Sequence, residues 1–165
     1  MQEPLSMWRV ELIHPFVIHI PIALLIVGSL FWIGSLWKHK RYNFLRPSAR
    51  LLLLIGTFGA WIAVYTGSLA DAEVVRTLCD PTVVEQHENY AYIVGYMFSG
   101  FVIIDWLTVN GYMDFLKKQF IHLLLTLLLL AGCSLLGYVG HLGSTLVYQQ
   151  SAAVYQPTEG CVEFE

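Results

Sequence analysis

His14-Pro15-Phe16-Val17-Ile18-His19-Ile20-Pro21-Ile22-Ala23-Leu24-Leu25 opens the first long apolar run of the chain. Two imidazoles and two prolines stand where a membrane helix begins. An ionisable side chain inside a bilayer is costly, and one that persists there generally has a partner or a task. The run continues to Trp37, and three more of similar length follow it. Of the 165 residues, 56% are hydrophobic and 13% are charged. A soluble domain carries roughly 25% charged residues. That deficit, with apolar runs of about 20 residues, reads as an integral membrane protein of single-domain length.

Four spans are predicted at about residues 15–37, 49–70, 90–110 and 119–142, followed by a tail over 143–165. At 1.5 Å per residue, each is long enough for roughly 30 Å of hydrocarbon. Pro15 suits the first turn of a helix, and Pro21 either kinks the first span or marks where its regular part starts. The short connections predict antiparallel neighbours. The expected fold is an all-α, four-transmembrane-helix, up-down-up-down bundle forming a single domain over 1–165.

Charge gives the bundle a sidedness. Lys38, Lys40, Arg41, Arg46, Arg50, Lys117 and Lys118, seven of the nine basic residues, flank the loop after the first span and the turn before the fourth. The positive-inside rule makes that side cytoplasmic and predicts both termini, with the 143–165 tail, to be periplasmic. Met1 to Ile13 has no basic n-region followed by a small-residue cleavage site, so no cleaved signal peptide is expected. The opposite side is acidic, with Asp71, Glu73, Asp80, Glu85 and Glu88 in one stretch. Cys79 and Cys161 both fall on that outer side, where an oxidising compartment permits a disulfide between them. Cys133, in the middle of the fourth span, reads as a small packing residue.

Topology also sorts the six histidines. His14 and His19 open the first span, His87 precedes the third, and His141 closes the fourth, all on the acidic side. His39 and His122 lie on the basic side, where Asp105 can meet His122. Four imidazoles from three helices at one depth form the pattern by which a bundle holds a cofactor between facing helices. Two axial histidines on different helices suit a haem b used for electron transfer. His14 and His19, five residues apart, face directions roughly 140° apart on a regular helix and so suit separate centres, or a ligand and its support. Gly67, Gly95, Gly137, Gly140 and Gly143 would admit a flat, bulky ligand, although close helix packing uses the same residues. Any single histidine here can equally hydrogen-bond a carbonyl freed by a proline. The chain has no Gly-rich phosphate loop, no His-Glu-x-x-His helix and no Cys-x-x-Cys-His attachment site, so a haem would be non-covalent. Nothing points to nucleic acid.

Several of these stretches resemble the DUF2231 family of predicted bacterial membrane proteins. The opening His14–Ala23 is similar to its "His-Pro-x-x-Val-His-Phe-Pro-Ile-Ala" motif. Gly56-Thr57-Phe58-Gly59-Ala60 with Thr66-Gly67 resembles its second helix, and His87 resembles the histidine before its third. Gly140-His141-Leu142-Gly143-Ser144-Thr145-Leu146-Val147-Tyr148 resembles its closing motif, with Ser144 in place of a usual glycine and Gln149-Gln150-Ser151 where relatives often carry His-Gly. The resemblance implies a four-helix protein of the bacterial inner membrane, often encoded beside or fused to c-type cytochrome modules.

The expectation is therefore a membrane electron carrier or redox-complex subunit rather than a stand-alone enzyme. It would bind one or two haem b groups through His14, His19, His87 and His141 as axial ligands or their immediate supports. Its partners would be the lipid bilayer, a periplasmic cytochrome c or other redox subunit attracted by the acidic outer face, and a quinol. The alternatives are a cofactor-free structural or anchoring subunit, and a copper or zinc site built from the same histidines.

Overall fold

The computed structural model describes residues 9–37 and 42–154. It contains five α-helices: α1 (Val10–Val17), α2 (His19–Gly34), α3 (Leu45–Val74), α4 (Thr82–Val109) and α5 (Lys118–Gln150), with a 3-10 turn over Val75–Thr77. There is no strand among the described residues. α1 and α2 act as one span, Val10–Gly34, so four stretches of 25, 30, 28 and 33 residues are long and apolar enough to cross a membrane.

The first span breaks where its prolines dictate. Pro21 has no N–H, so the carbonyl of Val17 loses its partner four residues on, and α1 ends at Val17. The chain nevertheless continues in the same direction. Ile18 N–H donates to the His14 carbonyl at 3.1 Å, and Ile22 N–H to the Ile18 carbonyl at 3.2 Å. Pro15, expected in a first turn, lies inside α1 instead, because the helix starts five residues earlier at Val10. The other helices also outrun their apolar middles. α5 continues to Gln150, so the stretch predicted as tail begins with about two helical turns. Hydropathy marks only the lipid-exposed core of a helix, and backbone hydrogen bonding carries on into its polar ends.

Contacts between neighbours fix their directions. A Cβ at Gly59 would meet Pro21 at 3.2 Å, one at Gly56 would meet Leu25 at 3.0 Å, and one at Gly28 would meet Leu53 at 2.9 Å. α2 and α3 therefore run antiparallel, in close contact over small residues, as helix pairs in lipid commonly do. Trp61 donates to Ser99 Oγ at 3.0 Å, Ser68 to Glu88 at 2.9 Å and Arg50 to Asp105 at 2.7 Å, so α3 and α4 are antiparallel too. Phe98 against Gly132 and His87 against Gly143 set α4 antiparallel to α5. The core between them is Leu25, Trp32, Leu53, Phe98, Phe101, Ile121, Leu125 and Leu129.

The outer surface is what a bilayer solvates. Only 22% to 28% of the most apolar stretch of each span is buried inside the molecule, and residues such as Phe58, Leu51 and Leu127 point outward. Hydroxyls inside the spans bond to their own helix four residues back: Ser29 to Leu25 at 2.7 Å, Thr57 to Leu53 at 2.6 Å and Thr108 to Ile104 at 2.7 Å. That removes polar donors from contact with lipid. Cys133 is half-buried and meets Ser29 Oγ at 3.3 Å, in keeping with a packing role. Cys79 is exposed, while Cys161 and His39 lie outside the described residues.

Candidate functional site

A cavity of 580 Å³ opens between the helices at the end that holds the start of α1, the end of α3, the start of α4 and the end of α5. Pockets that hold small ligands and cofactors run from about 300 to 1,000 Å³ and are mostly apolar with a few directed polar groups. Here the walls are largely aliphatic, from residues such as Ile18, Leu25, Val64, Val94 and Leu136. The polar groups are Glu11, His14, His19, Ser68, Asp71, His87, Glu88, Ser144 and Tyr148.

Two imidazoles meet across this space. The rings of His14, from α1, and His87, from α4, stand with centroids 6.2 Å apart and planes at 88°. Each is tied down by the same device. His14 Nδ1 donates to the Ala63 carbonyl at 2.9 Å, and His87 Nδ1 donates to the Val139 carbonyl at 3.1 Å. Four residues beyond each of those carbonyls stands a glycine against the same ring. A Cβ at Gly67 would lie 3.2 Å from His14 Cε1, and one at Gly143 would lie 3.3 Å from His87 Cε1. In a helix the residue at i+4 covers the carbonyl of residue i, so the missing side chain is what lets an imidazole reach it. A carbonyl can only accept. Each neutral ring therefore carries its proton on Nδ1 and leaves the Nε2 lone pair free, the form that binds a metal.

The remaining candidates separate. His19 lies on the cavity lining but is exposed, and the turn of helix between it and His14 sends the two in different directions. His141 is exposed and is not part of the lining, because the neighbouring Val139 and Leu142 take the inward face of α5. Its backbone carbonyl accepts from the Ser144 and Thr145 hydroxyls at 2.7 and 3.1 Å. The expected layer of four imidazoles is thus one close pair and two outliers. Gly137, Gly140 and Gly143, spaced three residues apart on α5, divide as well. Nothing lies within 4 Å of a Cβ at Gly137 or Gly140, whereas Gly143 faces His87. A step of three residues turns about 60° short of a full circle, so the three glycines do not share one face.

The acidic members were legible only as an outer charge. Glu88 accepts from Ser68 Oγ at 2.9 Å, and Asp71 keeps Oδ1 buried with no hydrogen-bond partner among the described residues. Both stand on helices beside the cavity rather than in a loop. Outside the spans, the Asp80 carboxylate accepts from the Thr82 hydroxyl at 2.6 Å and the Thr82 backbone N–H at 3.0 Å. Those two bonds hold its pKa below the usual aspartate value.

The opposite end of the bundle is packed around charge. Arg50 grips Asp105 through Nε at 2.7 Å and Nη2 at 3.2 Å. Asp105 thus spends both oxygens on a guanidinium fork rather than on His122, which packs edge-on against Trp32 with centroids 6.4 Å apart. An arginine is always charged and matches a carboxylate with two parallel donors, so it outcompetes an imidazole for the same partner.

An all-helical protein with four membrane-length helices and a histidine-bearing cavity at one end is the class these features define. The model of DUF2231, described as a predicted membrane protein, matches residues 11–156, and the chain belongs to that family. No curated protein and no solved structure matches it.

Proposed function

We propose that this protein is a b-type membrane cytochrome, holding a non-covalent haem between His14 and His87 and passing single electrons near the periplasmic face. The observation that carries this reading is the imidazole pair, 6.2 Å apart, with both Nδ1 atoms committed to carbonyls. Both rings line the same 580 Å³ cavity, and each keeps Nε2 for a metal. Haem iron between two imidazoles has no open position, which suits electron transfer rather than substrate chemistry. His14 and His87 would hold the iron, while the Ala63 and Val139 carbonyls fix ring orientation. Gly67 and Gly143 leave the rings room to approach those carbonyls, and the aliphatic walls exclude water.

The count of ligands favours haem over zinc or copper. A structural or catalytic zinc takes three or four protein ligands. Among the described residues, no three His, Cys, Asp or Glu side chains are grouped to hold a metal ion. A porphyrin brings four nitrogens of its own and asks the protein for two. One haem accounts for the pair. A second, on His19 and His141, lacks this support, since both are exposed. The excess of basic residues at the other end supports a multi-pass inner-membrane orientation with both termini outside. The acidic groups around the cavity end favour a basic partner such as a periplasmic cytochrome c, with a quinol as the membrane-side donor.

The test is a reduced-minus-oxidised spectrum of the protein purified in detergent from membranes of haem-replete cells. A Soret and α band that vanish in both His14→Ala and His87→Ala support the proposal. A colourless wild-type protein that co-purifies with stable partners points instead to a scaffold, and metal without porphyrin points to a zinc or copper site.

A further inference from the structure

α3 and α4 share an aromatic patch on their outer side. The ring centroids of Trp61 and Tyr96 are 5.1 Å apart, those of Trp61 and Tyr92 6.2 Å, and those of Tyr92 and Tyr96 6.5 Å. Gly95 seats the indole in the seam between the helices, since a Cβ there would lie 3.2 Å from the Trp61 ring. The indole N–H is spent on Ser99 Oγ at 3.0 Å. Neither tyrosine hydroxyl is paired with a described residue, and Tyr96 is 64% exposed.

Tyrosine is at home at a membrane boundary, where its hydroxyl meets headgroups or water. Tyr96 stands elsewhere. Along α4 it lies eight residues from Glu88 and nine from Asp105, the acidic groups toward the two ends of this span. At 1.5 Å per residue that is about 12 Å from one and about 14 Å from the other, near the middle of the hydrocarbon. Tyr92 is one turn closer to Glu88. A hydroxyl that faces hydrocarbon without a partner is costly, and acyl chains supply none. The unfilled role is that of a membrane-soluble molecule that carries polar oxygens on a flat ring. Such a ring packs on indole and phenol surfaces. Its oxygens serve either as acceptor or as donor, because a phenol hydroxyl does both.

The patch also has a meaningful address. Ala60, Val64, Ala91 and Val94, on the same two helices, line the histidine cavity. Trp61 and Tyr92 directly follow Ala60 and Ala91 in the chain. The patch is therefore the outer side of a wall whose inner side bounds the cavity. That wall is one helix layer, about 10 Å thick.

We infer that Trp61, Tyr92 and Tyr96 form a binding site for the headgroup of a lipid-soluble quinone, entered sideways from the bilayer. The quinone carbonyl accepts from the Tyr96 hydroxyl, its ring lies against Trp61 and Tyr92, and its tail stays in the hydrocarbon. The inference names the place of the quinol in the electron-carrier reading and rests on that reading for its purpose. The binding itself needs no haem.

The test uses the full-length protein in nanodiscs, titrated with a benzoquinone bearing a decyl tail. Empty nanodiscs give the amount that merely dissolves in lipid. The wild type should bind saturably above that background. Tyr96→Phe keeps the ring, removes only the hydroxyl, and should bind roughly fivefold more weakly, the effect of one lost neutral hydrogen bond. Tyr112→Phe, in the turn at the other end of the molecule, should bind as the wild type does. Wild-type binding that never saturates, or saturable binding unchanged by Tyr96→Phe, would overturn the inference. So would a dimer that dissociates in Tyr96→Phe while no quinone is bound, since a second copy would then cover the patch. Haem-bearing protein without saturable quinone binding defeats this inference alone, whereas saturable, Tyr96-dependent binding in haem-free protein supports it and defeats the haem reading.

Discussion

The two ends of this bundle use histidine in opposite ways. At one end, His14 and His87 are each bound through a single nitrogen to a carbonyl of another helix, with the second nitrogen free and a 580 Å³ cavity around them. At the other end, His122 is packed edge-on to a fully buried tryptophan, beside an arginine–aspartate pair. The first end spends its packing on keeping space open. The second spends it on closing space around charge. Glycine makes the difference: Gly67 and Gly143 each let a ring reach a helix carbonyl, whereas no glycine in the described residues backs His122. An imidazole thus becomes a candidate ligand through the residues that anchor its other nitrogen, and bare proximity to the membrane boundary does not make it one.

The contrast can be broken most severely at the cavity end. His14→Ala or His87→Ala should abolish haem binding outright, whereas His122→Ala should leave the α-band intensity unchanged; absorption spectra of the three variants decide it. Loss of the band in His122→Ala alone would reverse the assignment of the two ends.

The next largest effect belongs to the closed end. Asp105→Ala strands Arg50 beside a nearly buried site. Removing one partner of a fully buried pair costs about 3–5 kcal/mol, but the Arg50 side chain is 37% exposed, so about 2 kcal/mol is expected. Thermal unfolding in detergent reads this, with haem content per folded molecule unaltered.

Smaller and sharper is the glycine comparison on α5. Gly143→Ala drives a methyl to within 3.3 Å of the His87 ring and should cost about 1 kcal/mol while perturbing the spectrum. Gly137→Ala meets nothing within 4 Å and should be neutral or slightly stabilising through its better helix propensity. Equal effects of the two on spectrum and stability would contradict the anchoring role given to Gly143.

The smallest effect is one of pH at the start of α4. Asp80 has a depressed pKa because Thr82 donates to it twice. Its contribution is therefore present above the unfolded aspartate value of about 3.9 and is lost as pH falls through the lower folded value. The protection factor of the Thr82 amide, its exchange rate relative to an unstructured amide at the same pH, should fall in the wild type as pH drops through that value, and in Asp80→Ala should be low at every pH.

Much of this molecule is written in its hydropathy. The four spans, their short connections and the break near Pro21 follow from apolar run lengths and from a residue without an N–H. The site was legible only in part. That His14 and His87 share one end follows from counting crossings. That they meet while His19 and His141 stay outside depends on rotation about each helix axis, which spacing leaves open when a proline interrupts the first span. The rotation of α5 is set by Val139 and Leu142 packing inward, which turns His141 out. Asp105 illustrates a second gap. Its depth beside His122 was readable, but the competition won by Arg50 was hidden because Arg50 read as a loop charge. The i, i+4 pairs Ala63/Gly67 and Val139/Gly143 are the signal that would have singled out the two anchored histidines.

The most direct measurement is a pyridine haemochrome assay on the protein purified from its native membrane, with haem expressed per polypeptide. The account predicts haem b at about one per chain, released by acid acetone because nothing binds it covalently. A value indistinguishable from zero, in protein that is folded and was never exposed to harsh detergent, would contradict it.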